Sequence, residues 1–335
     1  MAYIYVKNIH GIPYYYLRIS KRIKGKIVIK DIAYLGKDIS KIQEKLDKLP
    51  LKYKQEIRKG YRNLKLFIDS NYYLEKAKTL KLKSNKYLNR EFQEKIEAIK
   101  LHFTNHFLKL DLRTQMDVYK DFLIEFAYNT TSIEGNTITL KEANKLLTEN
   151  LTPKERTIRE IFDLQNTQRV FLYLVETKPE MTQDLIIKVH DMLMENIDER
   201  KGYRAQDIRV FKSHFEASPV KYVKIDMCLL FKWFKEYKNK MHPLVLAALF
   251  HQKFEKIHPF SDGNGRTGRM MMNYILMQLK YPPFIIRKKN RSEYLGALSK
   301  ADKSGLDKVE PKYFRDLINY SSMEFIDSYW QNFNV

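Results

Sequence analysis

Short apolar runs with scattered polar positions, YIYVK, Ile12–Ile19 and Lys26–Leu35, read as strands, being rich in β-branched and aromatic residues and separated by His10-Gly11 and Lys24-Gly25. A three-stranded antiparallel meander is predicted over residues 3–36. The pattern then changes. Apolar residues three and four apart predict helices over Ile39–Asp47 and Lys52–Ser70, a lysine-rich connector over Lys76–Lys86, and helices almost without a break from Arg90 onward. This change of pattern places a boundary near residue 85. Residues 1–85 read as a β-meander and helical module, 86–145 as a helical linking region, and 146–335 as a mainly α core.

One interruption breaks the helical part. Lys201-Gly202-Tyr203 ends a helix, and IRVFK and VKYV then alternate like strands around Ser213–Pro219. A short β-hairpin is expected over about 205–223, carrying Ile208, Val210, Val220 and Tyr222. Its free edges would accept an extended peptide as a further strand, although an ordinary surface loop accounts for the same residues.

With 335 residues, 44% of them hydrophobic, the chain can bury a sizeable core, which excludes disorder over most of its length. No apolar run approaches the roughly 18 residues of a membrane helix, and MAYIYVKNIHG lacks a secretory block. A soluble, cytoplasmic protein without a membrane partner is expected. The single cysteine, Cys228, leaves no internal disulfide and no cysteine cluster for zinc, which fits a reducing compartment. Lys and Arg number 61 against 40 Asp and Glu, and residues 1–110 hold 26 basic and 10 acidic residues. Such asymmetry points to a partner with phosphates or an acidic surface, while drift in a chain rich in Lys, Ile, Tyr and Asn produces it too.

The chemistry concentrates in one window. Helical Pro243–Ile257 runs into His258-Pro-Phe260-Ser-Asp262-Gly263-Asn264-Gly265-Arg266-Thr-Gly-Arg269, after which an apolar helix resumes. Gly263 and Gly265 let successive backbone N–H groups converge on an oxyanion at a helix start. Arg266 and Arg269, three apart on one helix face, offer fork-shaped donors to a polyphosphate. Asp262 is an oxygen ligand suited to Mg²⁺, and His258 has the right ordinary pKa for a general base. A P-loop is excluded, because no Gly-Lys-Ser/Thr follows the glycines.

At these residues the sequence resembles the Fic (filamentation induced by cyclic AMP) family, whose pattern is His-x-Phe-x-(Asp/Glu)-Gly-Asn-Gly-Arg-x-x-Arg; His258 through Arg269 match every fixed position. The resemblance covers roughly residues 110–320. It implies a helical Fic core with a β-hairpin flap that clamps the target, and transfer of AMP from ATP to a hydroxyl of a target protein. By that resemblance His258 takes the hydroxyl proton, Asp262 holds Mg²⁺, and Phe260 anchors the loop. Asn264, the amides of Gly263 and Gly265, and Arg266 bind the α- and β-phosphates, and Arg269 meets the γ-phosphate.

A second match lies upstream, in Thr130-Thr-Ser-Ile-Glu134-Gly135-Asn136, closing a helix expected over about 115–135. Read alone, Glu134-Gly135 is a helix end with a glycine cap. In Fic proteins (Ser/Thr)-x-x-x-Glu-(Gly/Asn) marks an inhibitory helix, so the resemblance implies that Glu134 pairs with Arg269 and keeps ATP from its productive position. Some relatives with this arrangement also remove AMP, with Glu134 orienting a water and His258 acting as acid.

Other residues read as structural: His251 and Met270–Met272 as packing, Tyr203 and Arg204 as supports of the hairpin, Asn166 as a packing or surface group. Asn290, Arg291 and Tyr294 lie where relatives often place nucleoside contacts. In the N-terminal meander, Tyr14, Tyr15, Tyr16, Arg18, Lys21, Arg22, Lys24 and Lys26 interleave rings with bases, as nucleic-acid platforms do. A half-buried sheet gives the same pattern, and the module then serves target docking or dimerisation. Two functions follow: an auto-inhibited protein adenylyltransferase, or a nucleic-acid-binding regulator whose Fic core only senses nucleotide. A homodimer is left open.

Overall fold

The computed structural model describes residues 1–208 and 216–334. The chain opens with the expected meander: β1 (Ala2–Ile9), β2 (Ile12–Ile23) and β3 (Lys26–Gly36) form one antiparallel sheet in that order. Both turns carry two successive residues with positive φ, His10-Gly11 at 49° and 77° and Lys24-Gly25 at 47° and 79°, the geometry that suits the twist of paired strands. One face, with Ala2, Ile4, Tyr15, Leu17, Ile19 and Leu35, packs on Leu64 and Ile68 of the helix that follows. The meander is therefore a half-buried sheet.

After α1 (Ile42–Asp47), α2 (Leu51–Lys78) runs past its predicted end at Ser70 into the supposed connector. It packs along α3 (Arg90–Asn105), whose start is capped by Asn89 accepting from the Phe92 N–H at 2.8 Å. The rest is helical: α4 (Leu112–Ile133), α5 (Leu140–Glu149), α6 (Ile158–Thr177), α7 (Gln183–Leu193), α8 (Val223–Tyr237), α9 (Pro243–Ile257), α10 (Asn264–Gln278), α11 (Arg291–Ala301) and α12 (Pro311–Asn332). The main apolar cluster runs from Tyr87 to Phe333, separate from the cluster beneath the sheet and from a small one formed by Ala127, Ile138, Ala143, Leu146 and Leu164. Its centre is α9, buried on nearly every side from Leu244 to Phe254 and flanked by α8, α10 and α12. Its apolar residues ring the helix, and His251, Gln252 and Lys253 are buried with them, as a helix at the centre of a bundle requires. None of the described helices is long and apolar enough to cross a membrane.

The predicted hairpin is corrected on one side. Val220–Tyr222 form a 3₁₀ turn leading into α8, so Val220 and Tyr222 belong to no strand. Pro219 precedes the turn, the Val220 N–H donates to Asp207 at 2.7 Å, and the buried face of α8, with Val223, Met227 and Phe231, draws this segment into a helix. Ile208 lies in irregular chain, and Val210 lies outside the described residues.

Candidate active site

The loop between α9 and α10 holds the whole window. α9 ends at His258, whose φ of 52° turns the chain out of the helix. Phe260 is fully buried and stacks on His190 of α7 at 3.7 Å between ring centroids. His190 Nε2 lies 3.1 Å from the Asp262 carbonyl, tying α7 to the loop a second time. Asn264 closes it from the other side: its Oδ1 accepts from the Phe260 N–H at 3.0 Å and its Nδ2 donates to the Phe260 carbonyl at 2.8 Å. The Asn264 side chain is thus a staple for the loop, and only its backbone N–H is left to face a ligand. Arg204 completes the frame. It donates through Nε to the His258 carbonyl at 2.9 Å, through its own N–H to Pro259, and through its guanidinium to the carbonyls of Gln206 and Ser218.

Gly263 has a φ of 76°, and a β-carbon there would stand 2.7 Å from Met194 Sδ, so conformation and space both demand glycine. The first backbone bond of α10 runs from Thr267 N–H to Gly263 O at 3.0 Å. The N–H groups of Asn264, Gly265 and Arg266 precede it and form the positive end of the helix. Against that end lies Glu134. A β-carbon on Gly265 would collide with Glu134 Oε1 and stand 2.9 Å from Arg269 Nη1. A carboxylate occupies the place where the helix start invites an anion.

Glu134 reaches there because α4 ends on it. Gly135, with φ 109°, turns the chain, and the Asn136 N–H returns to the Thr131 carbonyl at 3.2 Å. The glycine cap and the arginine partner are one arrangement. Glu134 Oε1 accepts from Arg269 Nη2 at 2.7 Å, and the same guanidinium donates to Thr130 Oγ1 at 2.8 Å and to the Thr130 carbonyl at 2.9 Å. Burial opposes the charge of Arg269, but Glu134, Tyr294 and Glu255 together outweigh it and hold the guanidinium pKa above its ordinary value. Arg291 donates to the Ile133 carbonyl at 2.8 Å, capping α4, and Tyr294 is buried against His251 at 2.6 Å. Arg291 is thus engaged by α4, whereas the Tyr294 hydroxyl also meets the Arg269 guanidinium.

Asp262 Oδ1 accepts from the Gly263 N–H at 2.6 Å, and its other oxygen pairs with Arg159 of α6. Burial would raise its pKa, yet Arg266 and Arg159 hold it below the usual carboxylate value. Among the described residues no group of three His, Cys, Asp or Glu side chains is placed to hold a metal. A lone ionised carboxylate beside an anion site still fits Mg²⁺, which commonly takes one or two protein carboxylates and draws its other ligands from phosphates and water.

His258 Nδ1 lies 3.1 Å from the Glu255 carbonyl, which only accepts, so Nδ1 carries the proton and Nε2 is the accepting nitrogen of the neutral ring. Burial pushes the imidazole pKa below its ordinary value, against the smaller opposing effect of that hydrogen bond. The ring is neutral at pH 7.

Arg266 departs from expectation. It is ion-paired with Asp163 of α6, with Nη2 3.3 Å from Met194 Sδ, while Arg269 turns to α4. Two arginines three apart share a face at their Cα atoms, but their long side chains diverge. Burial raises the Asp163 pKa against the pull of Arg266. Asp163, His190 and Arg159 carry no mark in the sequence that singles them out. A buried arginine signals an acidic partner, but nothing in the spacing says which.

Residues 180–276 match the family model described as the Fic/DOC family. A protein adenylyltransferase Fic of Drosophila ananassae is 32% identical over 196 residues, covering 56% of this chain and 38% of that protein. Its namesake from Aedes aegypti is 30% identical over 197 residues, covering 56% and 38%. The chain thus spans about two fifths of the length of these curated relatives. A Fic-domain protein of Bacteroides thetaiotaomicron superposes with a TM-score of 0.64 at 23% identity, covering 70% of this chain and 93% of that one. Fic-1 of Caenorhabditis elegans superposes with a TM-score of 0.59 at 23% identity, covering 72% and 70%. These two likenesses show the fold.

Proposed function

We propose that this chain, whose residues 180–276 match the Fic/DOC family model, is a protein adenylyltransferase held in check by Glu134, acting on a Ser, Thr or Tyr hydroxyl of a target protein. The observation that carries the reading is the carboxylate of Glu134 seated on Arg269 and against Gly265, at the helix start that would otherwise receive phosphate. The names of the relatives support the reaction.

His258 Nε2 takes the proton of the target hydroxyl as its oxygen bonds to the α-phosphorus of ATP. The bond from that phosphorus to the oxygen bridging toward the β-phosphate breaks, and pyrophosphate leaves with the electron pair. The amides of Asn264, Gly265 and Arg266 steady the phosphate oxygens, and Arg269, once released, binds the terminal phosphate. Asp262, freed from Arg159, would hold Mg²⁺, which when bound neutralises charge on the phosphates. Arg266, locked on Asp163, fixes the start of α10 and adds its charge nearby. In the opposite direction Glu134 orients a water and accepts its proton as the water oxygen bonds to the α-phosphorus of a modified target; the bond from that phosphorus to the target oxygen breaks, and His258 in its protonated form gives that oxygen a proton.

The test is transfer of label from α-labelled ATP by wild type, Glu134→Gly and Glu134→Gly/His258→Ala. Label should rise in the first variant and vanish in the second. No rise in Glu134→Gly removes the inhibitory assignment, and equal label in the double variant removes His258 as the base. A regulator that merely senses nucleotide would bind ATP in Glu134→Gly and transfer nothing.

A further inference from the structure

We propose that the outer end of the β2–β3 hairpin is a ribbon that enters the major groove of duplex DNA. This inference does not rest on the transferase reading. Residues 21–31 are exposed without exception, beyond the point where Ile19 leaves the sheet's core. Three paired residues of each strand, 21–23 and 26–28, therefore project with the turn between them, on the order of 10 Å at the usual strand rise. Within this stretch Lys21, Arg22, Lys24, Lys26 and Lys30 stand against one acid, Asp31, which is committed to Arg18 at 2.5 Å. Lys21 is paired with Glu56 at 3.2 Å, whereas Arg22, Lys24, Lys26 and Lys30 make no ion pair among the described residues.

Register decides what each face offers. Lys21 pairs with Val28, Arg22 with Ile27 and Ile23 with Lys26, and opposed residues share a face. One face carries Lys21, Ile23, Lys26, Val28 and Lys30, and the other Arg22, Ile27 and Ile29. Ile27 is 69% and Ile29 54% exposed side by side on one face, and Ile23 is 53% exposed on the other, bare aliphatics at the tip of a charged ribbon.

The charge calls for a polyanion, and the side chains choose among polyanions. The stretch contains no aromatic ring, so it lacks the stacking surface by which single strands are held. Each face mixes aliphatics with bases, whereas an element lying on a bilayer separates them. The deep groove of A-form RNA is too narrow for such an element, while the B-DNA major groove, about 12 Å wide, admits a two-stranded ribbon. Arg22 with Ile27 and Ile29 suits the groove floor, where arginine reads guanine and aliphatics meet thymine methyls. Lys24, Lys26 and Lys30 then reach the phosphate walls.

The experiment is fluorescence anisotropy of the full chain with a labelled duplex of about two helical turns, titrated at several salt concentrations. Wild type should bind at low salt with an affinity that falls linearly on logarithmic axes. Lys24→Ala/Lys26→Ala/Lys30→Ala should make that slope shallower by about three, because each phosphate neutralised by a lysine adds roughly 0.9 to it. Ile27→Ala/Ile29→Ala should weaken duplex binding several-fold with the slope unchanged, which separates groove insertion from attraction of charge alone. Both variants should keep the wild-type circular dichroism spectrum and, on the Glu134→Gly background, the same label transfer. Absence of duplex binding at low salt, an unchanged slope in the lysine variant, or tighter binding to the single strand or to phosphatidylserine vesicles would overturn the proposal.

Discussion

Removing the Glu134 side chain tests the proposed inhibitory role of its pair with Arg269 in two ways at once. The Arg269 side chain is 3% exposed and that of Glu134 44%, so the pair is buried on one side and half open on the other. Breaking a fully buried pair costs about 3–5 kcal/mol, and an exposed one contributes about 0–1 kcal/mol. Arg269 keeps its two bonds to Thr130, so Glu134→Gly should cost about 1–3 kcal/mol in the free protein. The melting temperature should fall by roughly 2–6 °C. In the same variant a terminal phosphate can take the vacated place. A hydrogen bond to a charged group contributes about 1.5–3 kcal/mol, so ATP should bind roughly 10- to 100-fold more tightly. Thermal melting with and without MgATP, together with titration calorimetry, reads both effects. The variant should melt lower than wild type alone and gain more from nucleotide. A variant with unchanged melting temperature and wild-type ATP affinity would refute the reasoning, since the pair would then be ornamental on both counts. Glu134→Gln, which keeps the shape and removes the charge, should fall between.

Asp163→Ala should leave Arg266 a buried cation with no close carboxylate but Asp262 at 3.7 Å, and cost about 2–4 kcal/mol in urea unfolding; a loss below about 1 kcal/mol would show that Asp163 does not hold it. On the Glu134→Gly background, His258→Ala should lower transfer about 10²- to 10⁴-fold with ATP affinity retained. Because burial lowers the His258 pKa, transfer should hold steady from neutral pH down past the ordinary histidine value and decline only below it, and a decline that begins above pH 7 would contradict a neutral base. Burial also raises the Glu255 pKa to about 8, so the folded state keeps a proton that the unfolded chain releases from about pH 4.5, and the associated stability is lost as pH rises toward 8. His251, lowered by burial to about 3, opposes this up to its ordinary value of 6.5. Unfolding free energy should therefore fall between about pH 6.5 and 8, and Glu255→Gln should flatten that fall; an unaltered slope in the variant would assign it elsewhere.

The sheet is legible because the β-branched and aromatic run Ile12–Ile19 and the Lys24-Gly25 turn agree with each other, and the loop between α9 and α10 because its glycines, His258 and Asp262 sit within one short window. Glu134 is legible as a motif, and its partnership with Arg269 comes from resemblance, since 135 residues separate them. The second strand of the hairpin fails because Val220 and Tyr222 alternate locally, while the apolar spacing of Val223, Met227 and Phe231 just beyond them imposes a helix. Asp163 and His190 are invisible for a different reason. Each meets the loop only after α6 and α7 pack beside it, and a single acid or imidazole on an amphipathic helix carries no mark of that encounter. The staple made by Asn264 is likewise a matter of geometry: sequence offers an amide near phosphate, and folding turns it onto the Phe260 backbone.

The most direct measurement is intact-mass spectrometry of Glu134→Gly incubated with MgATP, alone and with an extract of the native host, beside Glu134→Gly/His258→Ala. The account predicts an adenylyl adduct on a hydroxyl side chain of the protein or of an extract protein in the first sample, and none in the second. No adduct in either, or equal adduct in both, would contradict it.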